Sequence, residues 1–366
     1  CRCLGHNGRM KNHGAALTRI PLEGLSAPTR RVLGGVDDLL VHSLKMNVRF
    51  RQLNRRDGLL LHGPFGWAEA SPFWDYDPKE SANWLAAALA HANEERPTPL
   101  RERVPVNATI PVITPEEAYK KILHSGGCAT AKVKVADPGT SLHEDIERVR
   151  AVALALKETV GEAARVRVDA NGAWDVDTAI SAINALEEAA RDAGRLEYVE
   201  QPCWSVPELA RVRSAVKTPI AADESIRRAP DPLAVACAGA ADVAIMKIAP
   251  LGGIRRALRI GEESGLTLVI SSALESSIGL AAGVHAAACL PGEPLACGLA
   301  TGGFFTADTV AEPLRVEDGH LPLREFEPDL SLLEGPGVAP ELSEQWLHRL
   351  DAMCAHLDEK RSEEKR

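Results

Sequence analysis

The chain has 366 residues, of which 45% are hydrophobic and 25% charged, a balance typical of a protein with a packed core. Its 42 Lys and Arg residues against 51 Asp and Glu residues give a formal net charge of −9, so nucleic acid is not an expected partner. No apolar stretch reaches the roughly 18 residues that a membrane-spanning helix needs, so no membrane partner is expected either.

The first 35 residues are predicted to be a disordered extension. Basic residues are scattered through them, and no apolar segment of the signal-peptide kind follows. We therefore expect a cytoplasmic location. The sequence predicts no particular oligomeric state.

Residues 36–105 are predicted to form a small α+β domain. Val41–Phe50 alternates apolar and polar residues, which indicates a half-buried strand. Gly58–Gly63 and Gly66–Ala70, joined by a Gly-Pro-Phe-Gly turn, predict two further antiparallel strands. The Ala/Leu-rich Ser81–Asn93 predicts a helix.

Residues 106–303 show a different rhythm, in which short β-branched runs alternate with helical stretches. A helix between two strands carries the chain back to the start of the next strand, so this alternation predicts parallel strands. The predicted strands are Val106–Val112, Ala129–Val135, Arg165–Asn171, Leu196–Pro202, Pro219–Glu224, Asp242–Ile248, Thr267–Ser272 and Ala296–Ala300. An open doubly wound sheet and a closed barrel both fit this alternation.

The polar residues at the strand ends favour the closed barrel. Six successive strands finish in side chains suited to acid–base or metal chemistry, among them Lys134, Asp169, Glu200, Asp223 and Lys247. A closed barrel brings such ends to one mouth, whereas an open sheet spreads them along an edge. Residues 304–340 are expected to pack back on the N-terminal domain, and residues 341–366 to form a helix and a charged tail.

Three carboxylates, Asp169, Glu200 and Asp223, come from three consecutive strand ends. Adjacent strands lie about 5 Å apart, so these oxygens can surround one cation. An oxygen-only ligand set favours Mg²⁺ first and Mn²⁺ second. The alternative is that each acid caps the helix that follows it, which explains one such residue more easily than three.

Lys132 and Lys134 are two residues apart on an otherwise apolar strand, so both side chains point into the barrel. Two ammonium groups near one another and near a metal disfavour their own protonation, which lowers a lysine pKa from about 10.4 towards the range of a useful base. Lys247 lies across the predicted mouth. A single lysine at this place would be expected to form a salt bridge with a ligand carboxylate. Lysines on both sides of the mouth instead indicate proton transfer on two faces of a small carboxylate substrate.

Five short motifs in order resemble the enolase superfamily, in its muconate-lactonising-enzyme subgroup. They are Lys132-Val133-Lys134, Val168-Asp169-Ala170-Asn171, Val199-Glu200-Gln201-Pro202, Ala222-Asp223-Glu224-Ser225 and Met246-Lys247. Within the subgroup, Gly63–Phe73 and Glu200-Gln201-Pro202-Cys203 are most similar to the o-succinylbenzoate synthase family. The resemblance implies an α/β fold, an enolase-type modified TIM barrel with an N-terminal α+β capping domain.

The resemblance also implies a reaction. It is the dehydration, by syn elimination of water, of 2-succinyl-6-hydroxy-2,4-cyclohexadiene-1-carboxylate to 2-succinylbenzoate in menaquinone biosynthesis, through a metal-stabilised enediolate. Lys134 would remove the α-proton and assist the departure of hydroxide, Lys132 would tune Lys134, and Lys247 would steady the enediolate.

The same resemblance assigns the remaining site residues. Asp169, Glu200 and Asp223 would hold Mg²⁺, with Mn²⁺ as a substitute. Asn171 and Glu224 would support these ligands. Substrate contacts are expected from Ser271, Ser272, Gly302 and Arg49, the last in a loop that would close over the mouth.

Two rival interpretations compete with this reading. An N-succinylamino acid racemase would use the same lysines and metal site, with proton transfer on both faces, alone or as a second activity. A non-catalytic barrel would be expected to lack at least one of Lys134, Asp169, Glu200, Asp223 and Lys247, and all five are present.

Overall fold

The computed structural model describes residues 14–50 and 53–363, and of Val48, Arg49 and Phe50 it describes the backbone alone. The N-terminal part is a four-stranded antiparallel sheet in the order β1-β2-β3-β4, with a helix packed on it. Its elements are β1 (Ala15–Arg19), α1 (Ala27–Leu33), β2 (Asp38–Phe50), β3 (Leu53–Gly63), β4 (Gly66–Ala70) and α2 (Pro78–Asn93). We call this part the capping domain.

The capping domain begins earlier than the sequence predicts. Strand β1 pairs antiparallel with β2, from Ala15 opposite Leu44 to Arg19 opposite Leu40. Helix α1 starts at an N-cap, where the Ser26 hydroxyl accepts a hydrogen bond from a backbone N–H. The expectation of an extension without structure is therefore wrong for residues 14–35, because their few apolar side chains are buried in the domain core.

The second part is a parallel sheet of seven strands in the order β12-β11-β10-β9-β8-β7-β6, with helices between the strands. Its strands are β5 (Arg103–Pro105), β6 (Asn107–Ile110), β7 (Thr130–Lys134), β8 (Arg165–Asp169), β9 (Leu196–Glu200), β10 (Ile220–Ala222), β11 (Val243–Met246) and β12 (Thr267–Ile270). Its helices are α3 (Pro115–Leu123), α4 (Leu142–Val160), α5 (Val176–Ala189), α6 (Val206–Ala215), α7 (Glu224–Arg227), α8 (Ala234–Cys237), α9 (Ile254–Ser264) and α10 (Ser277–Ala288). Strand β5 stands apart from this sheet.

Two residues close the sheet into a barrel. Cys297 forms a parallel bridge with Val106, and Gly298 forms one with Ser271, just beyond β12. The predicted eighth strand is thus reduced to these two bridges. The backbone at Gly298 lies close to Ser271, since a Cβ on Gly298 would lie 2.5 Å from the Ser271 hydroxyl oxygen.

The helices begin where polar side chains cap them. At α4, the Ser141 hydroxyl accepts a hydrogen bond from the Glu144 backbone N–H (3.3 Å), and the Glu144 carboxylate accepts one from the Ser141 N–H (2.7 Å). Reciprocal capping of this kind satisfies two otherwise unpaired N–H groups. The same arrangement starts α3 and α6.

Glu69 on β4 joins the capping domain to the barrel. Its Oε2 accepts hydrogen bonds from the N–H of Ser276 (3.0 Å), the hydroxyl of Ser276 (2.5 Å) and the N–H of Gly279 (3.2 Å). These groups lie at the N-terminus of α10, where a negative charge is favourable. The carboxylate therefore caps a barrel helix from the other domain.

The C-terminal part returns to the capping domain. Strand β13 (His320–Pro322) pairs antiparallel with β5, and helix α11 (Pro340–Glu363) packs on α1 and α2. Asp57 Oδ2 accepts hydrogen bonds from the indole N–H groups of Trp74 (2.9 Å) and Trp346 (2.8 Å), which holds α11 in place. Helix α11 extends to Glu363, so most of the charged residues at the end of the sequence, which were expected to form a tail, belong to the helix. None of the helices in the described ranges is long and apolar enough to cross a bilayer.

Candidate active site

The register of three neighbouring strands brings the predicted site residues together. Lys134 on β7 lies directly opposite Asp169 on β8, and Asp169 lies opposite Glu200 on β9. Asp223 follows β10, and Lys247 follows β11, at the same ends of their strands. All five therefore meet at the carboxyl-terminal mouth of the barrel, which is where barrel active sites lie.

Each lysine at the mouth is paired with a carboxylate. Lys132 Nζ lies 2.8 Å from Glu200 Oε2 and 3.3 Å from Asp169 Oδ2. Lys134 Nζ lies 2.5 Å from Asp169 Oδ2, and Lys247 Nζ lies 2.5 Å from Asp223 Oδ2. The three carboxylates are almost completely buried, so these charges compensate one another out of contact with water.

The pairing with carboxylates shifts the pKa values of Lys132 and Asp169. Burial alone would lower the pKa of Lys132, but the carboxylates of Glu200 and Asp169 outweigh it, and the pKa is raised. Burial likewise favours a high pKa for Asp169, yet Lys134 and Lys132 hold it below its usual range. The nearest charges to the Lys132 ammonium group are therefore carboxylates, and the lowered lysine pKa expected beside a bound metal stays a prediction.

Glu200 behaves differently from Asp169. Burial and the neighbouring Asp169 carboxylate raise its pKa, and the attraction of Lys132 only partly offsets them. A cation bound beside Glu200 would therefore favour the ionised form of its carboxyl group.

Asn171 connects the lysine to the neighbouring ligand loop. Its Oδ1 accepts a hydrogen bond from Lys134 Nζ (2.8 Å), and its Nδ2 donates one to Glu224 Oε1 (3.2 Å). The residue has a φ of 48°, a left-handed conformation that asparagine tolerates better than most residues. Asn171 therefore links Lys134 to Glu224, the residue that follows Asp223.

Gln201 is a connection that the sequence analysis did not identify. Its Oε1 accepts hydrogen bonds from the backbone N–H groups of Asp223 (3.0 Å) and Ser225 (3.3 Å), and its Nε2 donates to the Ser225 hydroxyl (2.7 Å). The side chain thus fixes the loop after β10 to the end of β9. The one feature of the sequence that could have identified Gln201 is its position directly after Glu200.

The lysines surround a small cavity of about 30 Å³. Ser271 and Ser272, both predicted to bind substrate, line it together with Thr301, which was not predicted. The Ser272 hydroxyl contacts the Thr301 hydroxyl (2.8 Å) and donates to Glu275 Oε2 (2.8 Å). Gly302, a predicted substrate contact, follows Thr301 and starts the 3₁₀ turn Gly302–Phe304, and it is not among the described residues that line this cavity.

Arg49 cannot be placed against the substrate. Its backbone belongs to β2, but its side chain lies outside the described residues, as do the whole of Arg51 and Gln52. The predicted closing loop therefore stays a prediction.

The donor set at the mouth suits a hard divalent cation, although it is not assembled as a cage. Within residues 14–50 and 53–363, no three acidic, imidazole or thiol groups stand close enough together to hold an ion as they are. The oxygens of Asp169, Glu200 and Asp223 pair with lysine ammonium groups instead. Buried carboxylates require a positive counter-charge, and carboxylate oxygens are the ligands that Mg²⁺ prefers, so the residues fit such an ion.

The sequence matches known families along most of its length. Residues 41–92 match the family described as "Enolase N-terminal domain-like", and residues 115–346 match "Enolase C-terminal domain-like". The chain is 50% identical to the o-succinylbenzoate synthase of Thermobifida fusca over 313 residues, which are 86% of this chain and 95% of that protein. The chain belongs to the o-succinylbenzoate synthase family of the enolase superfamily. The predicted fold class and family are both confirmed.

Further relatives support the same family. The chain is 48% identical to the o-succinylbenzoate synthase of Mycolicibacterium smegmatis over 324 residues, covering 87% of this chain and 96% of that protein. Among solved structures, a dipeptide epimerase from Enterococcus faecalis complexed with Mg and a dipeptide aligns with a TM-score of 0.65 at 23% identity, covering 81% of this chain and 99% of that one. A muconate lactonizing enzyme from Pseudomonas fluorescens gives 0.65 at 20%, covering 88% and 97%. These two show the shared fold.

Proposed function

We propose that the chain catalyses the Mg²⁺-dependent dehydration of 2-succinyl-6-hydroxy-2,4-cyclohexadiene-1-carboxylate to 2-succinylbenzoate in menaquinone biosynthesis. One observation carries the proposal: Lys134 and Lys247 face the same cavity, each beside a buried carboxylate. The relatives that are 50% and 48% identical are named o-succinylbenzoate synthase. An enzyme of this name removes water from its substrate, so the chain is a hydro-lyase.

Asp169, Glu200 and Asp223 are the residues that would hold Mg²⁺. When bound, the ion supplies positive charge that offsets the negative charge developing on the substrate carboxylate. The lysine ammonium groups would then give up part of their contact with the ligand oxygens. A divalent cation and a dicarboxylate substrate together add no net charge, so the balance of the buried mouth is preserved.

Lys134 is positioned to move the proton. Its Nζ is partly exposed to the cavity and is held by Asp169 Oδ2 and Asn171 Oδ1. In its neutral form, Nζ takes the proton from the carbon beside the ring carboxylate, and the electrons of that C–H bond form the enediolate. The same ammonium group returns the proton to the leaving hydroxyl on the same face, so that one water departs and the ring becomes aromatic.

Lys247 and Lys132 act through their charge. Lys247 reaches the cavity from β11, on the side of Asp223, where its ammonium group would steady the enediolate without transferring a proton. Lys132, bound by Glu200 and Asp169, keeps positive charge close to Lys134 and orients both carboxylates.

The succinyl end of the substrate would be recognised by hydroxyl groups. Ser271, Ser272 and Thr301 line one side of the cavity, and their hydroxyls can donate to a carboxylate or ketone oxygen. We propose Arg49, on the long strand β2, as a further contact that closes over this end. We also propose Gly302, next to Thr301 in the chain, as a backbone contact to the succinyl carboxylate.

The test is a Mg²⁺-dependent assay of the purified chain on two substrates. Aromatisation of the cyclohexadiene carboxylate is followed by absorbance, and racemisation of an N-succinylamino acid is followed by polarimetry. Rapid Mg²⁺-dependent aromatisation with little racemisation supports the proposal. Absence of aromatisation from a folded protein that binds Mg²⁺ would discard the substrate and leave the fold.

Racemisation of N-succinylamino acids is the second candidate, alone or beside dehydration. The position of Lys134 and Lys247 around one cavity favours it, because racemisation needs a base and an acid on opposite faces. Substitution Lys247→Ala separates the two activities: racemisation should be lost completely, whereas dehydration should keep its acid–base residue and fall less. Equal losses of both would show that Lys247 transfers a proton in dehydration as well.

A further inference from the structure

The capping domain reaches the metal-ligand loop through one tyrosine. Tyr76 lies between β4 and α2 and is buried, with its ring edge-on to Phe73 (5.6 Å) and to Trp84 (6.2 Å). These rings form one apolar cluster with Leu274 and Phe304 of the barrel side. The hydroxyl of Tyr76 is therefore held in a fixed position by packing across the domain boundary.

Arg227, at the end of α7, meets this hydroxyl from the barrel side. Its Nη1 donates a hydrogen bond to the Tyr76 hydroxyl, its Nε donates to Asp223 Oδ1 (2.8 Å) and its Nη2 donates to Glu224 Oε1 (2.7 Å). The arginine side chain is only 3% exposed. One buried guanidinium thus joins a proposed metal ligand, the acid beside it and the capping domain.

The geometry of the guanidinium makes these contacts interdependent. Its N–H groups lie in one rigid plane, so a shift that improves one hydrogen bond changes the direction of the others. Tyr76 supplies the contact that comes from the capping domain, whereas Asp223 and Glu224 belong to the same turn as Arg227. The tyrosine therefore fixes the plane, and the plane orients the Asp223 carboxylate.

We propose that Tyr76 and Arg227 are positioning residues that couple the docking of the capping domain to the affinity of the metal site at Asp223. This rests on the proposed function insofar as Asp223 is a Mg²⁺ ligand. Thermodynamic coupling is reciprocal: if docking of the capping domain strengthens Mg²⁺ binding, Mg²⁺ strengthens docking by the same factor. The capping domain then covers the site and also completes the support of its metal ligand.

The test uses the substitution Tyr76→Phe, which removes only the hydroxyl. Mg²⁺ binding to the purified protein without substrate is measured by calorimetry, and turnover is measured across a range of Mg²⁺ concentrations. Loss of a hydrogen bond that orients a metal ligand lowers affinity by about 10- to 100-fold. We expect a weakening of at least about tenfold, with kcat restored to near wild type at saturating Mg²⁺.

Arg228→Lys is the matched control. The Arg228 side chain stacks over the ring of Tyr76 (4.8 Å) and pairs with Glu80 (2.9 Å), whereas its backbone N–H, which the substitution keeps, donates to the Glu224 carbonyl oxygen (3.1 Å). This variant disturbs the same region and should keep wild-type Mg²⁺ affinity. Arg227→Lys provides a second test, since it keeps the charge but cannot make the three contacts at once, and it should weaken Mg²⁺ binding as Tyr76→Phe does.

Hydrogen exchange measures the reciprocal effect, which is that of Mg²⁺ on the docking of the capping domain. In the wild type, added Mg²⁺ should slow backbone exchange in residues 72–77, and in Tyr76→Phe this protection should disappear. Wild-type Mg²⁺ affinity in both Tyr76→Phe and Arg227→Lys, or a fall in kcat that Mg²⁺ does not restore, would overturn the inference. A wild-type protein that binds Mg²⁺ but does not aromatise the substrate would instead count against the proposed function alone.

Discussion

Lys132 holds both oxygens of the Glu200 carboxylate, with Nζ 2.9 Å from Oε1 and 2.8 Å from Oε2. The same ammonium group lies 3.3 Å from Asp169 Oδ2, so one lysine spans the carboxylates of two adjacent strands. This contact gives Lys132 a role distinct from that of Lys134, although both residues point from β7 towards the same mouth. Lys132 contacts two of the proposed ligands, and Lys134 lines the cavity beside Asn171.

Replacement of the proposed base should abolish dehydration. In Lys134→Ala the cavity loses the Nζ that takes and returns the proton, and we expect turnover to fall by about 10³-fold. Mg²⁺ binding should persist, because the three proposed ligands remain. Absorbance of the aromatic product and calorimetric Mg²⁺ titration measure the two effects. Lys157→Ala, which removes an exposed lysine of α4, is the control, and near-normal turnover in Lys134→Ala would reject the assignment.

Replacement of a proposed ligand should act on metal binding first. Asp223→Asn keeps the size of the side chain but removes the charge that would attract Mg²⁺, and we expect affinity to fall by at least about tenfold. The dependence of turnover on Mg²⁺ concentration and direct Mg²⁺ titration both measure this. Asp242→Asn, at a partly exposed position paired with Arg213, is the control. An unchanged Mg²⁺ requirement would remove Asp223 from the ligand set.

The Glu69 contact between the domains should make stability depend on acidity. Burial alone would raise the pKa of Glu69, but His42, Ser276 and Ser71 outweigh it and lower the pKa from 4.5 to about 2. Because the folded-state pKa is the lower one, the stabilisation is complete above pH 4.5 and is lost as the pH falls towards 2. The shift corresponds to about 3 kcal/mol.

The substitution Glu69→Gln tests this dependence. The difference in melting temperature between the wild type and Glu69→Gln should be greatest near neutral pH and should shrink as the pH falls from 4.5 towards 2. Glu80→Gln, at a half-exposed position on α2, should show no comparable change. A constant difference across that range would show that the charge of Glu69 does not stabilise the fold.

The attachment of the C-terminal helix should depend on Asp57. In Asp57→Ala the indole N–H groups of Trp74 and Trp346 lose their shared acceptor, and Trp346 is fully buried. An unpaired buried donor costs about 2 kcal/mol, so the free energy of unfolding should fall by at least that much. Urea denaturation measures it. Asp38→Ala, which breaks a partly exposed pair with Arg19, should cost less than about 1 kcal/mol, and equal losses would contradict the argument.

The sequence alone determined which residues meet at the mouth. Strands that alternate with helices must be parallel, and parallel strands in a barrel end at one face, so Lys134, Asp169 and Lys247 were predictable from their place in each strand. The capping sheet was predictable from β2 onward for the same kind of reason, since its strands alternate or follow a clear turn. Periodicity and strand ends are local features of a sequence.

Contacts between distant segments were decided by the tertiary structure. The meeting of Tyr76 with Arg227, and of Glu69 with Ser276, joins segments that lie 151 and 207 residues apart in the chain. No periodic pattern marks such partners, because their approach depends on how the two domains pack. The charge environment of Lys132 was decided in the same way: the sequence shows its lysine neighbour, but only the fold brings the carboxylate of Glu200 to its ammonium group.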